Sequence, residues 1–234
     1  ERDVDRLVRN ERIAWGASMI ACKDADAMVT GNIRHYAASI EKLKKVTDPR
    51  PGEEIFGMTM ITLKGKTILV ADTNVQDFPS PERLVKVSKS CVRVARLFGF
   101  DPKVAFLSHS TFGKPISKNT KHVRDAIDLL KKEKVDFDFD GEMQPDVALN
   151  PVYQEIYPFS KIVGNANILI MPALHSAAIS TKLMKVFGGG KLIGPLLIGL
   201  GSPIEVAPLR ASTSEILNLA SIAAYSSDVI DYSN

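Results

Sequence analysis

The sequence predicts an α/β protein built on a mainly parallel sheet with helices on both faces. Short β-type apolar runs alternate with segments of helical periodicity along most of the chain, the pattern that parallel sheets with crossover helices produce. Polar loops rich in Ser, Thr and Gly follow several of the β-type runs, which is where α/β proteins place their sites. Composition agrees. The chain's 234 residues, 45% apolar and 24% charged, suit one large domain or two lobes of an ordinary globular protein.

Residues 4–15 place Val4, Leu7, Val8 and Ile13 at roughly helical spacing between Arg and Glu. Residues 24–30 read as a short buried strand ending at Gly31, and a helix is expected over 34–46. Asp48-Pro49-Arg50-Pro51-Gly52 is a breaker and one candidate lobe boundary; the turn at 199–203 is the other. Residues 58–63 and 67–71, joined by Lys64-Gly65-Lys66, form an expected hairpin, with Asp72-Thr73-Asn74 directly after it. Ser80 then serves as N-cap, with Pro81 in the first turn, of a helix that ends near Gly99.

The middle of the chain is the most regular. A strand at 104–107, a polar loop at 108–114 and a helix over 120–132 with Val123, Ile127 and Leu130 on one face follow in order. Residues 135–140 alternate apolar and acidic side chains and read as a half-exposed strand. Further strands are expected at 168–171, 192–198 and 204–206, and helices at 176–187 and 214–226.

Several classes of function are disfavoured. A net charge of +3, spread over many Lys–Glu pairs, does not indicate nucleic acid. Cys22 and Cys91 lack CxxC spacing and, with four scattered histidines, give no zinc pattern; a reducing cytoplasm is the simplest setting. No apolar run reaches the length of a membrane span, and no signal peptide opens the chain. The chain begins with Glu1 inside an amphipathic helix, which predicts that it is cut from something longer.

Four loops at strand ends, 31–35, 72–74, 108–113 and 171–176, are expected to converge on one crevice. The most polar, Ser108-His109-Ser110-Thr111-Phe112-Gly113-Lys114, offers hydroxyls, backbone N–H groups and a lysine to a phosphate or carbonyl oxygen; equally, its hydroxyls serve to satisfy a turn. Its adjacent Ser and His do not make a catalytic dyad, since neighbouring side chains rarely face each other. Gly188-Gly189-Gly190-Lys191 matches neither a P-loop nor GxGxxG and reads as a helix end turning into a strand. Asp140 with Gly141-Glu142-Met143-Gln144 reads as a solvated turn, and no metal triad emerges. Residues 203–211 form the loop where chemistry is expected, beside a helix starting near Ser212 or Thr213.

These loops, taken with VAFLSHSTFGKP, DFDGEMQPDVAL, ANILIMPAL, KVFGGGKLIGPLLIGLGSPIEV and STSEILNLASIAA, resemble phosphate acetyltransferases. RLVRNERIAWGA, DAMVTGNIRHY, TLKGKTILVADTNV and PERLVKVSKSCVRVARLFGFDPKVAFLSHS resemble more closely the phosphotransacetylase-like C-terminal domain of bacterial NADP-dependent malic enzymes. The resemblance covers nearly the whole chain. It implies a two-lobed, three-layer α/β/α fold like isocitrate and isopropylmalate dehydrogenases. It also implies an upstream malic-enzyme portion carrying NADP and a divalent metal.

Acetyl transfer between phosphate and coenzyme A needs a base for the thiol, cations for the phosphoryl group and donors for the oxyanion. In active family members the relevant loop reads NDLSRG, with an aspartate shortly after. Aligned on Pro203-Ile204, this chain puts Pro208 and Leu209 at the Ser-Arg pair and Glu215 at the aspartate. Glu41 stands near a position where the family carries a phosphate-binding arginine, and Ala178 where it often has Asn. The resemblance therefore implies a domain with little or no acetyl transfer, with Glu215 as the one candidate base. Its expected roles are assembly into a homo-oligomer, a dimer or higher, and acetyl-CoA sensing in the cytoplasm. Ser108, Ser110, Thr111, Pro172, Leu174 and Lys191 are the residues it implies for acyl-CoA binding, and no cofactor, nucleic acid or membrane is expected for this part of the protein.

Overall fold

The fold is given by a computed structural model describing residues 2–63, 65–71, 78–230 and 232. Helices α1 (Arg2–Asn10) and α2 (Arg12–Ala21) lead into β1 (Met28–Gly31) and α3 (Tyr36–Leu43). The hairpin of β2 (Phe56–Leu63) and β3 (Lys66–Ala71) precedes α4 (Pro81–Leu97), β4 (Lys103–Leu107), α5 (Lys121–Glu133) and β5 (Asp138–Met143). Short helices α6 (Pro145–Leu149) and α7 (Pro151–Gln154) come before β6 (Ile168–Ile170) and α8 (Leu174–Phe187). Then follow β7 (Lys191–Ile198), β8 (Ile204–Ala207) and α9 (Thr213–Val229). The expected loop 72–74 and Lys64 lie outside the described residues.

The chain divides into two compact units, Glu1–Gly57 with Ile193–Asn234, and Met58–Leu192. The divisions fall inside β2 and β7 rather than at the breaker 48–52 or the turn 199–203.

In the first unit β1 and β8 pair in parallel, with Gly31 opposite Ala207. A side chain at Gly31 would place its Cβ 2.3 Å from the Ala207 carbonyl oxygen, and its φ of +105° is a region other residues rarely adopt. The helix expected over 4–15 is in fact two. Glu11 is extended at the junction (φ −122°, ψ 106°), and its carboxylate accepts from Arg34 at 2.7 Å and meets Lys42 at 3.4 Å. The strand expected at 24–30 is confined to Met28–Gly31.

The second unit holds the parallel neighbours β3, β6, β4 and β5, with β2 antiparallel to β3. Ala105, Leu107 and Leu169 enter one core cluster with Val147 and Ala148 of α6 and Ala177 of α8. Their strand neighbours Val104, Phe106, Ile168 and Ile170 point the other way and are also buried, so both faces of the sheet are covered. Ser80 caps α4, its hydroxyl accepting from the Arg83 N–H at 3.2 Å, as local sequence predicts. The glycine run at 188–190 likewise ends α8 and turns into β7.

The strand expected at 135–140 is displaced to Asp138–Met143, and the segment read as a solvated turn is its buried end. Pairing with β4 is regular to Phe106 opposite Gly141, then jumps to Leu107 opposite Met143. Glu142 is the extra residue of this bulge, and bulges re-aim side chains beside sites. Gly141 has φ +147°, and a Cβ there would lie 2.6 Å from the Phe106 carbonyl oxygen. Gly141→Ala is therefore expected to destabilise the protein by about 1–3 kcal/mol from backbone strain, before any clash; a lower urea midpoint at unchanged slope is the check.

Candidate functional site

The loop 108–114 leaves the carboxyl end of β4, and the bulged Glu142 organises it. Glu142 is 1% exposed, and its Oε1 accepts from the Ser110 hydroxyl at 2.9 Å, the Gly113 N–H at 3.0 Å and Arg124 at 3.3 Å. Arg124, on α5, also donates to Thr120 Oγ1 at 2.6 Å and to the Ser117 carbonyl at 3.1 Å, tying the short 3-10 turn Lys118–Thr120 to the loop. On the other side, Gln144 donates from its backbone to Thr111 Oγ1 at 3.2 Å and from its side chain to the His109 carbonyl at 2.7 Å. Phe112 packs against Tyr157 and Phe159, with centroids 5.2 and 4.9 Å apart.

This network uses the groups expected to hold an anion. The N–H of Ser108 donates to Met143, that of Ser110 to Ser108 Oγ, that of Phe112 to Glu142, and those of Thr111 and Lys114 to each other's carbonyls. With Gly113 on Glu142, the turn-satisfying role of the loop is what the structure builds. Ser108, Ser110 and Thr111 are all buried, while His109 and Lys114 are exposed. The Ser110 hydroxyl, fully buried, donates to a buried carboxylate and so fixes the loop. Sequence reading missed Glu142 and Arg124 as the residues that organise the loop. The acid in DFDGEM was visible, but its burial follows from a bulge with no local signature.

The neighbouring loop 171–176 leaves β6, which pairs in parallel with β4, so the two loops emerge side by side. Pro172 and Leu174 are half-buried there, and the Pro172 carbonyl lies 2.9 Å from His122 Nε2 of α5. Ser108, Ser110, Thr111, Pro172 and Leu174 are thus brought to one end of the sheet. Lys191 is not. It follows Gly190, which lies against Thr62 and Leu63, the residues paired with Thr67 and Lys66 at the start of β3. Since β3 runs parallel to β6, exposed Lys191 sits at the opposite end, about 20 Å away over a six-residue strand.

The first unit carries the remaining candidates. Loops 31–35 and 208–211 leave β1 and β8 together and are pinned by Arg210 N–H to the Asn32 carbonyl at 3.0 Å and Asn32 N–H to Ala207 at 3.2 Å. Part of the loop expected at 203–211 is strand: Ile204–Ala207 is β8. Pro208 offers no donor and Leu209 is half-exposed, while Arg210 is exposed in a left-handed conformation (φ 59°). Glu215 is committed to a capping box. Its Oε2 accepts from the Ser212 N–H and hydroxyl, each at 2.8 Å, and Ser212 Oγ caps the Glu215 N–H in return. The Arg34 hydrogen bond, with Lys42 behind it, holds the Glu11 carboxyl below the usual range.

Glu205 lies in the middle of β8, buried, with one hydrogen-bond donor, the Leu197 N–H at 2.8 Å. Burial pushes its carboxyl up to about 8. The folded protein therefore holds a proton there that the unfolded chain releases near 4.5, and stability falls as pH rises from that value through about 8. Among the described residues no group of carboxylates, histidines or cysteines is arranged to hold a metal ion, and no helix is long and apolar enough to cross a membrane.

Two outcomes are expected. Each pH unit between the folded and unfolded values is worth about 1.4 kcal/mol. Glu205→Gln should accordingly unfold like the parent at pH 4 but be more stable by a few kcal/mol at pH 9, as read from urea denaturation at each pH. Glu142→Ala strands the Ser110 and Gly113 donors and should cost about 2–3 kcal/mol, with Glu142→Gln costing less; thermal unfolding compares the two.

The phosphate acetyl/butaryl transferase family model matches residues 1–224. The NADP-dependent malic enzyme of Rhizobium meliloti (strain 1021) is 45% identical over 224 residues, covering 96% of this chain and 29% of that protein. The phosphate acetyltransferase of Bacillus subtilis (strain 168) is 29% identical over 212 residues, covering 90% of this chain and 66% of that protein. A phosphotransacetylase structure from Streptococcus pyogenes superposes with a TM-score of 0.86 at 28% identity, over 92% of this chain and 67% of that one. The 4-hydroxythreonine-4-phosphate dehydrogenase of Klebsiella pneumoniae, at 13% identity and a TM-score of 0.58 over 92% of this chain and 69% of that one, shares the fold alone. This chain spans about three tenths of the malic enzymes it matches. It belongs to the phosphate acetyl/butaryl transferase family and, within it, to the phosphotransacetylase-like domains found in malic enzymes.

Proposed function

We propose that this domain is a regulatory and assembly module that binds acetyl-CoA and has lost, or nearly lost, acetyl transfer. The observation that carries the reading is the filling of the loop after β8. Acetyl transfer needs a cationic clamp for phosphate and a hydroxyl or N–H for the developing oxyanion, and Pro208 and Leu209 supply neither. The engagement of Glu215 in its own helix cap supports the same reading. Acetyl-CoA is assigned to the face made by loops 108–114 and 171–176, where His109, Lys114, Pro172 and Leu174 are the accessible groups. Malate decarboxylation with NADP and a divalent metal belongs to a malic-enzyme portion outside these residues, and acetyl-CoA modulates it by binding two states with different affinity. The two-lobed arrangement of isocitrate dehydrogenase-like proteins and a cytoplasmic setting complete the proposal.

Assembly rests on α8. Ile179, Leu183, Val186 and Phe187 recur at helical spacing and are all exposed, Phe187 by 82%. A helix apolar on its outer face as well as its inner one asks for a partner, and a second copy of this chain is assigned to it. Leu183→Glu with Phe187→Glu is expected to shift the protein to monomer in sedimentation velocity, without change in far-UV circular dichroism.

Calorimetric titration of acetyl-CoA and an acetyl phosphate assay on the same protein test the main proposal. Saturable binding is expected, with turnover at least about a thousandfold below that of an active phosphotransacetylase. Turnover near the active level would restore the ordinary acetyltransferase reading. Absence of binding at millimolar acetyl-CoA would leave assembly alone.

A further inference from the structure

The tip of loop 108–114 carries a residue that its backbone does not favour. Thr111 and Lys114 exchange hydrogen bonds, each N–H donating to the other's carbonyl at 3.0 and 3.1 Å, which closes a two-residue turn over Phe112 and Gly113. Both central residues have positive φ, 47° at Phe112 and 82° at Gly113, as type I′ turns require. Asn, Asp or Gly ordinarily takes the first of those positions, and a bulky side chain there is an outlier. Packing of the Phe112 ring on the core cluster of the second unit, beside Tyr157, offsets part of that strain. Its other partner is Phe159, and that ring is not core.

Phe159 is 65% exposed, yet it is held in place. It makes T-shaped contacts with Phe112 and Tyr157, with centroids 4.9 and 6.0 Å away at interplanar angles of 69° and 78°. The backbone on either side is fixed as well. The Ser160 N–H donates to the Tyr157 carbonyl at 2.9 Å, and the Lys161 N–H donates to the buried Asp140 carboxylate at 2.7 Å. An exposed ring held by two others and by its own backbone has little freedom left to lose when a second flat ring lies on it. Through Phe112 it adjoins the face to which acetyl-CoA is assigned, and exposed Lys114 belongs to the same turn. An aromatic ring for a base, beside a cation for phosphate, is the pairing that binds nucleotides without reading their edges.

We propose that Phe159, backed by Phe112, is the stacking platform for the adenine ring of acetyl-CoA, with Lys114 as the counter-charge for its phosphates. The inference rests on the acetyl-CoA reading above and adds which part of the ligand the site selects. Stacking on an exposed ring engages the nucleotide half of the coenzyme and leaves the acyl end unread, so the platform confers affinity for acyl-CoA as a class.

The test is calorimetric titration of acetyl-CoA into the 234-residue chain and its Phe159→Ala and Phe159→Trp variants. Adenosine 3′,5′-bisphosphate, which carries the nucleotide half alone, serves as competitor. Phe159→Ala is expected to weaken acetyl-CoA about tenfold, in line with what base–aromatic stacking contributes, and Phe159→Trp to retain it. The bisphosphate should displace acetyl-CoA from the parent and compete more weakly against Phe159→Ala. If Phe159→Ala does not fold, Phe159→Leu, which keeps apolar bulk without a stacking face, replaces it. Equal acetyl-CoA binding by the parent and Phe159→Ala overturns this inference alone, as does a bisphosphate that fails to compete at millimolar concentration. A change in sedimentation without one in binding would assign the ring to a protein interface and overturn it too. Absence of acetyl-CoA binding by the parent overturns the functional reading, and this inference with it.

Discussion

A carboxylate inside a sheet has to be met by donors, because burying it unmatched costs several kcal/mol. In the second unit that requirement falls on Glu142, and a hydroxyl, a backbone N–H and a guanidinium meet it. The consequence runs outward from there. Ser110 and Gly113 are fixed by the carboxylate, Phe112 is turned to Tyr157 and Phe159, and Arg124 carries the constraint on to Thr120 and Ser117. The conformation of loop 108–114 is set by a residue from the next strand, and the Gly141 bulge is what aims that residue.

Elements whose determinants are local were legible in the sequence. The Ser80-Pro81 start of α4, the apolar face of α5 and the capping of α9 all rest on residues no more than four positions from the next. What escaped depends on contacts distant in sequence. The break at Glu11 is matched by Arg34 and Lys42 more than twenty residues on, and the register of β5 is set by its pairing with β4. The family resemblance groups Lys191 with the loops by its position in a matching segment. The hairpin register puts it at the other end of the sheet.

Scaffold and chemistry are separable in the same way. The pairing of β1 with β8 relies on Gly31 and on backbone bonds between the two loops, none of which involves the side chains of Pro208 or Leu209. Family membership therefore does not by itself fix the reaction, since a fold constrains backbone and core, and chemistry resides in a few loop side chains.

The first unit also separates its charge along the β1–β8 axis. At the carboxyl ends of the strands lie Arg34, Arg210 and the amino ends of α3 and α9; at the amino ends lie Asp26, Asp48, Asp228 and the carboxyl ends of α2 and α9. Parallel strands alternating with helices impose part of this polarity, because every crossover helix runs back against its strands. At the end of α9 Asp228 adds to it, whereas Lys42 in the last turn of α3 follows the usual placement of a base at a helix carboxyl end. Around the hollow at the amino ends Lys23 is the lining cation not already paired with a carboxylate, so three aspartates and two helix ends face a single ammonium. That imbalance is hidden in the chain's net charge of +3.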